Sequence, residues 1–427
     1  MEKNNFIVSC KEQVKTKDKL ENIIYLAKDN FWTEALPTTA SSNFLADFVP
    51  GENATVIKLL TKSGAILKGK TAMDEFACGG TGLLANTGII TNPHNFQHIV
   101  GGSSSGSATA VAKGLVSFAL GSDTGGSVRQ PAAYCGIVGF KPSSGLVSRY
   151  GLIPMASSLD TVGILANSVA TTEKVFLVIA QPDPSDLLTI DAEQTTTKPV
   201  SFFVAKKITI LKGIEKFLSP QFAESYQKTI NILKKKNYQI KAIEIPPEIR
   251  ENLQLCYLII CSSELVSHLN SCQGITYGQK VNNAENVGAK VCQIRTEYLG
   301  KSVRQRLLLG SYFLQNKKDC EKAYLFRQKV KNWTEKIFRK YDFLLFPSPN
   351  SEAPKVEHSS FFFTGSETHW SDNLLLLASL GGFPSLSLPI GFVNGLPISV
   401  NINASYKQDK LLFQLAKSIE KEIKAFS

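Results

Sequence analysis

The stretch GGSSSGSATAVAKGLVSFALGSDTGGSVRQP, residues 101–131, holds two glycine-flanked serines, Ser103 and Ser127, 24 positions apart. A serine hydroxyl attacks an amide well only when one group removes its proton and another holds the charge that develops on the carbonyl oxygen. The 427-residue chain has 5 histidines, none inside this block, so serine chemistry here needs a base other than imidazole. Lys28 is the candidate. The run Asp123-Thr124-Gly125-Gly126-Ser127 meets the second requirement locally. Successive backbone N–H groups of a glycine turn can point inward as an oxyanion hole, and glycine lets the backbone approach the substrate without a Cβ in the way. Taken singly, GGS and SSSGS are also ordinary loop composition, so the argument rests on the joint constellation.

Strand, glycine-rich turn and helix recur around these residues. TVIKLLTKSG, from Thr55, has helical spacing and stops at glycine, and AILKGKT after it reads as a short strand. Ala108 to Lys113 is helix-compatible, and Leu115 to Leu120 reads as a buried strand delivering the chain to GSDTGGS. Near Gln181, QPDPSD breaks the helical pattern ATTEKVFLVIAQ, and VSFFVAKKITI starts a new strand. Pro220 to Lys236 is helical, Tyr238 to Ile245 alternates at period two, and Leu253 to His268 returns to helix. From Tyr341, DFLLFPSP, FPSLSLPI and LPISVNINAS are strand-like and return to the main sheet, and KQDKLLFQLAKSIEKEIKAF closes as an amphipathic helix. The expected organisation is a core at 1–180, an inserted or peripheral α/β and helical part at 181–340 that contributes to the substrate pocket, and a return to the core at 341–427.

Composition narrows the function classes. The 8 cysteines form no CxxC pair and no histidine cluster accompanies them, so neither a metal site nor a disulfide framework is indicated. No run approaches the ~20 apolar residues of a membrane span, and the N-terminus lacks the apolar region of a secretory signal, so a cytoplasmic protein without membrane attachment is expected. Neither GxxxxGK[ST] nor GxGxxG after a strand occurs, which leaves nucleotide binding by this chain unsupported. The net charge of +11 suits tRNA, an acidic partner subunit or a solvated lysine-rich face, and does not choose among them.

From about Leu26 to Asn167 the chain resembles the amidase signature family. AKDN, GKTAMDEFACGG, GGSSSGS, GSDTGGSVRQPAAYCGIVGFKPSSGLVSRYGL and SSLDTVGILANSV carry the resemblance. It implies an α/β fold with a large central mixed β-sheet covered by helices on both faces. It also implies a triad of a lysine, a bridging serine in a cis peptide and a nucleophilic serine, which fall on Lys28, Ser103 and Ser127. Neutral Lys28 then takes a proton from Ser103 as Ser103 takes one from Ser127. For that role the ammonium pKa must fall from ~10.4 toward neutrality, which burial would accomplish. The N–H groups of Thr124, Gly125, Gly126 and Ser127 would hold the oxyanion, with Asp123 and Arg129 bracing the turn through charged hydrogen bonds.

Within the family, SSELVSHLNSCQGITYG, SVRQRLLLGSYFL and WSDNLLLLASLGGFPSLSLPIGF are most similar to the glutaminase subunits of tRNA-dependent amidotransferases. This branch implies a glutaminase that forms a Ser127 acyl-enzyme and supplies ammonia for the conversion of glutamyl-tRNA(Gln) to glutaminyl-tRNA(Gln). The implied partners are a tRNA-binding, ATP-using subunit and a small stabilising one. No cofactor belongs to this chain, ATP and Mg²⁺ belong to the partner, and tRNA is met mainly through it. Arg306 would grip the substrate carboxylate and Asp372 its ammonium, with Tyr257 lining the pocket. The alternatives are a solvent-facing helix charge for Arg306 and a helix N-cap for Asp372. For the whole chain they are a free-standing amidase on small or fatty amides, a catalytically silent scaffold, and direct tRNA binding.

Two departures from the family pattern stand out. Only 27 residues precede Lys28, which leaves out much of an N-terminal helical segment usual in this branch. The serine loop reads GGSSSGS where GGSSGGS is usual, placing Ser105 at a glycine position. If that position requires positive φ, the serine costs ~1 kcal/mol.

Overall fold

The computed structural model describes residues 6–10, 20–189, 207–281, 285–358 and 373–426. Its strands are β1 (Ile7–Cys10), β2 (Ile24–Lys28), β3 (Ile66–Thr71), β4 (Phe118–Asp123), β5 (Val138–Lys141), β6 (Thr161–Ala166), β7 (Lys207–Leu211), β8 (Gln239–Ile243), β9 (Phe343–Pro347), β10 (Ser385–Val393) and β11 (Leu396–Ala404). All eleven belong to one sheet in the order β1-β3-β2-β4-β6-β5-β10-β11-β9-β7-β8. The sheet is mixed. Strand β2 runs parallel to β3 and β4, and β7 parallel to β8 and β9, while β4, β6, β5, β10, β11 and β9 pair antiparallel in turn. The strands of the 181–340 part are therefore continuous with the main sheet through the β7–β9 pair.

Side-chain alternation divides the core between the two faces of the sheet. Tyr25, Ala27, Phe118, Leu120, Ile164 and Ala166 enter one apolar cluster, and Leu26, Ala119 and Leu165 the other. The first is closed by helices α1 (Thr55–Lys62), α4 (Val169–Ile179) and α11 (Asp409–Phe426), through Leu60, Val175 and Phe413 among others. The second is closed by α2 (Ser105–Ala112) and α3 (Arg129–Cys135), through Ala108 and Ala132. Both faces of the sheet carry helices, as expected.

Local signals explain most boundaries. Helix α1 ends at Ser63, and Gly64 follows at φ 83°. Helix α5 (Pro220–Lys235) starts where the Ser219 side chain accepts the Phe222 N–H, with Pro220 in the first turn, and buries Phe222, Tyr226, Ile230 and Leu233 at helical spacing. Helix α6 (Pro247–Leu269) starts earlier than the expected Leu253, because its first turn is polar and the apolar period does not mark it. Strand β4 likewise differs from the expected Leu115–Leu120. It continues through Gly121, Ser122 and Asp123, which pair with Gly163, Val162 and Thr161 of β6. That ladder carries the chain deeper into the sheet before it turns. Helices α7 (Val287–Tyr298), α8 (Lys301–Gln315), α9 (Lys317–Phe338) and α10 (Leu376–Gly381) complete the described elements used below.

Candidate active site

Lys28 is the last residue of β2 and Asp123 the last of β4, so the parallel pair delivers both to the same end of the sheet. Between β4 and α3 lies the turn that carries Ser127. The buried Asp123 carboxylate organises it, accepting the N–H groups of Gly126 at 2.8 Å, Val128 at 3.1 Å and Arg129 at 3.4 Å. It also takes Arg129 Nε at 2.9 Å and Nη2 at 2.8 Å in a two-pronged ion pair. The remaining guanidinium donors reach Leu375 O, Ser385 Oγ and Ser379 Oγ at 2.8, 3.1 and 3.0 Å. Burial opposes ionisation of Asp123, but Arg129 outweighs it and holds the carboxyl below the ordinary carboxylate range. Asp123 and Arg129, expected to brace the turn, are joined to it and to each other by these charged hydrogen bonds. One part of the expected oxyanion hole needs correction. The Gly126 N–H is committed to Asp123 because the carboxylate folds back under the turn, leaving Thr124, Gly125 and Ser127 as the candidate donors.

Lys28 is fully buried. Its Nζ lies 2.8 Å from Ser103 Oγ, 2.8 Å from Ser122 Oγ and 3.4 Å from Ser122 O. All three acceptors are uncharged, so they replace lost water only in part and supply no counter-charge. Burial pulls the ammonium down to about 7, against the opposing pull of Asp74, Asp123 and Asp160. Lys70 on the neighbouring strand shows the contrast. It is equally buried but ion-pairs with Asp29 at 3.2 Å and donates to Phe31 O and Thr38 Oγ1 at 2.8 and 3.0 Å. Asp29 is thus an internal partner of Lys70 rather than a solvated neighbour of Lys28.

The peptide between Gly102 and Ser103 is cis. The Ser104 N–H donates to Ser127 O at 3.2 Å, so the segment bearing the bridging serine is bonded to the nucleophile turn beside Lys28. Ser127 itself is 8% exposed, whereas Ser103 and Lys28 are sealed. Ser105 is the first residue of α2, and its φ is not positive. The strain considered for this serine therefore does not arise.

Several residues not assigned a role from sequence hold this arrangement. Asn30 Nδ2 donates to Ser122 Oγ at 3.0 Å, fixing the second acceptor of Lys28. The Asp74 N–H donates to Ser103 O at 3.3 Å, and its carboxylate accepts the N–H groups of Thr81, Gly82 and Leu84, each at 3.1 Å. Asp160 accepts Thr124 Oγ1 at 2.6 Å and the N–H groups of Met155 and Ala156 at 2.8 and 3.0 Å. Burial lifts Asp160 to about 6, with those three bonds opposing the rise. Asp74 and Asp160 both lie within segments of family resemblance, MDEF and SSLDTVG. Each also bonds a distant segment, Asp74 to Ser103 and Asp160 to Thr124, and no spacing signals those two contacts.

The wall facing the turn comes from the helical part. Tyr257 of α6 lies directly on Gly125, where an added Cβ would sit 2.7 Å from its ring, and Leu375 would meet a Cβ on Gly126 at 2.9 Å. Gly126 also has φ 124°, so this turn admits glycine alone on both counts. Arg306 of α8 is buried at 9% exposure, with Nη1 4.0 Å from Cys261 Sγ. Cys78, Tyr257 and Asp74 are within electrostatic reach of its guanidinium. A solvent-facing charge is therefore excluded for Arg306. Asp372, expected to bind an ammonium or cap a helix, lies outside the described residues. Among the described residues no group of three or more His, Cys, Asp or Glu is placed to hold a metal ion, and no helix is long and apolar enough to cross a membrane.

A buried, depressed lysine bonded to a serine, beside a glycine turn with free donors, is equipped for acyl transfer from an amide. The chain matches the amidase family model over residues 8–413. It belongs to the amidase family. The amidase relatives include a glutamyl-tRNA(Gln) amidotransferase subunit of Mycoplasma genitalium, 35% identical over 427 residues, covering 97% of this chain and 89% of the relative. Among solved amidase-type structures, the corresponding glutamyl-tRNA(Gln) amidotransferase subunit from Thermotoga maritima superposes with a TM-score of 0.80 at 30% identity, covering 97% of this chain and 87% of that one. A structure described as an amidase gives 0.79 at 25% identity, covering 98% and 92%. The family and the large mixed sheet agree with the expected amidase membership and α/β fold.

Proposed function

We propose that this amidase hydrolyses glutamine within a tRNA-dependent amidotransferase complex. The carrying observation is Lys28: a sealed amine, depressed to about 7, whose Nζ is 2.8 Å from Ser103 Oγ next to the Ser127 turn. As Ser127 Oγ attacks the carboxamide carbon of glutamine, its proton moves to Ser103 and the Ser103 proton moves to neutral Lys28. The developing oxyanion is met by N–H groups of the 124–127 turn. Collapse breaks the C–N bond, the relay returns a proton to the leaving nitrogen, and ammonia departs. Water then cleaves the Ser127 ester by the same relay, releasing glutamate and restoring the hydroxyl.

Arg306, buried on α8 within electrostatic reach of Tyr257, is the proposed partner of a substrate carboxylate, which a guanidinium recognises through charged hydrogen bonds. Asp372 is the proposed partner of the substrate ammonium. The relatives named as subunits support a multi-subunit assembly. In it a companion tRNA-binding subunit would use ATP and Mg²⁺ to convert glutamyl-tRNA(Gln), a small subunit would stabilise the complex, and the work would take place in the cytoplasm. The test is exposure of the chain to glutamine followed by mass spectrometry. A glutamyl adduct on the Ser127 peptide is expected. Its absence while glutamine is consumed would remove Ser127 as nucleophile, and strong hydrolysis of acyl amides with none of glutamine would replace this reading with a free-standing amidase.

A further inference from the structure

The turn 74–78 joins the two halves of the site. At one end the Asp74 N–H holds Ser103 O. At the other, Cys78 O accepts Ser302 Oγ of α8 at 2.8 Å, and Cys78 is within electrostatic reach of Arg306, one turn further along that helix. Between them Phe76 and Ala77 sit at φ 48° and 60°, left-handed values that a non-glycine pair keeps only when neighbouring contacts hold it. Glu75 is the contact that reaches furthest. Its side chain is turned inward at 7% exposure, with Oε1 accepting Ser42 Oγ at 2.6 Å and Oε2 accepting the Gly300 N–H at 2.8 Å. Gly300 is the N-cap of α8, and a Cβ there would lie 2.2 Å from Glu75 Oε2, so the carboxylate abuts the helix start directly. An anion at a helix N-terminus is favourably placed, and this one belongs to the same turn as the residue that holds Ser103.

We propose that Glu75 is a positioning residue that sets α8, and with it Arg306, at the distance from the Ser127 turn that suits an amide bearing an α-carboxylate. The inference rests on the functional reading above and deepens it. Glu75 acts on substrate selection through the helix and takes no part in proton transfer. Replacement by glutamine keeps the shape but leaves only one accepting atom, so either Ser42 or Gly300 loses its acceptor.

The experiment compares Glu75→Gln with wild type in the full chain on two substrates, glutamine and 4-aminobutyramide, which is glutamine without its α-carboxylate. Small displacements of a binding group cost up to about 100-fold, so KM for glutamine is expected to rise about 10- to 100-fold. The kcat/KM for 4-aminobutyramide should stay within about twofold, because only binding of the carboxylate is lost. Equal losses on both substrates, or an unchanged KM for glutamine, overturn the inference and leave the functional reading intact. Wild type that cleaves 4-aminobutyramide but not glutamine overturns both. If Glu75→Gln does not fold, Ser42→Ala removes the donor to Oε1, together with the acceptor of the Phe44 N–H, and must show the same selective rise in smaller measure; its absence overturns the inference as well.

Discussion

Lys28 Nζ and Ser103 Oγ are 2.8 Å apart in a sealed interior where the lysine makes no ion pair among the described residues. Burial lowers Lys70 as well, but there Asp29 at 3.2 Å opposes the fall. The Lys28–Ser103 contact bears on the pH behaviour expected of the reaction.

With neutral Lys28 as the proposed base, drawn by burial to about 7, glutaminase kcat/KM should rise with pH through neutrality and level off above it. Three carboxylates face this amine, Asp74, Asp123 and Asp160, and each favours its charged form. Asp160→Asn should therefore move the rising limb to lower pH. A limb that stays in place or moves upward in a pH–rate profile would contradict the assignment of Lys28 as base.

The same shift has a sign for stability. In the unfolded chain the lysine titrates near its ordinary value of 10.5, and in the folded chain near 7, so between those values the unfolded state binds more protons. The contribution of Lys28 therefore becomes more favourable as pH rises from about 7 toward 10.5. Lys28→Met should abolish activity while flattening that part of the dependence, leaving a residual slope from Lys141 and Lys70, both of which burial also lowers. Denaturant unfolding across this range measures the difference.

Arg129→Met leaves the Asp123 carboxylate buried without its partner. Breaking a buried pair in this way costs about 3–5 kcal/mol, and Arg129→Lys should recover only part because one ammonium cannot reproduce the two-pronged contact. Urea unfolding midpoints should fall in the order wild type, Lys, Met. A neutral effect of the Met change would show that the pair does not hold the turn.

Gly125→Ala drives a methyl to 2.7 Å from the Tyr257 ring, so the turn or the tyrosine must shift. A drop in kcat of about 100-fold, the cost of a misplacement near 1 Å, is expected. Tyr257→Ala in the same chain should restore part of that loss, giving a coupling energy in a double-mutant cycle. Additive losses would mean that the two residues do not press on one another.

The legible parts of the site are those whose chemistry is local. Ser127 and its glycines lie within five consecutive residues, and the Asp123–Arg129 brace spans only six positions, so composition and resemblance both point to them. Helix α5 was similarly visible, because its cap, first-turn proline and buried face follow in order along the chain. The supports were not visible. Thr124 meets Asp160 across 36 positions, Lys28 meets Ser122 across 94, and Glu75 meets Gly300 across 225. No periodicity links such pairs, since only the packing of distant strands, turns and helices brings them together.

Read by itself, the chain determined the amidase family and the α/β type and pointed to Ser127, Ser103 and Lys28 as candidates, because short glycine-rich turns impose their own backbone geometry and carry the resemblance. Tertiary structure decided what those groups can do. It sealed Lys28 among neutral acceptors, committed the Gly126 N–H to Asp123, buried Arg306 within electrostatic reach of Tyr257 and placed Glu75 at the start of α8. Protonation and donor availability depend on which groups exclude water from which others, and that is settled only when distant segments pack.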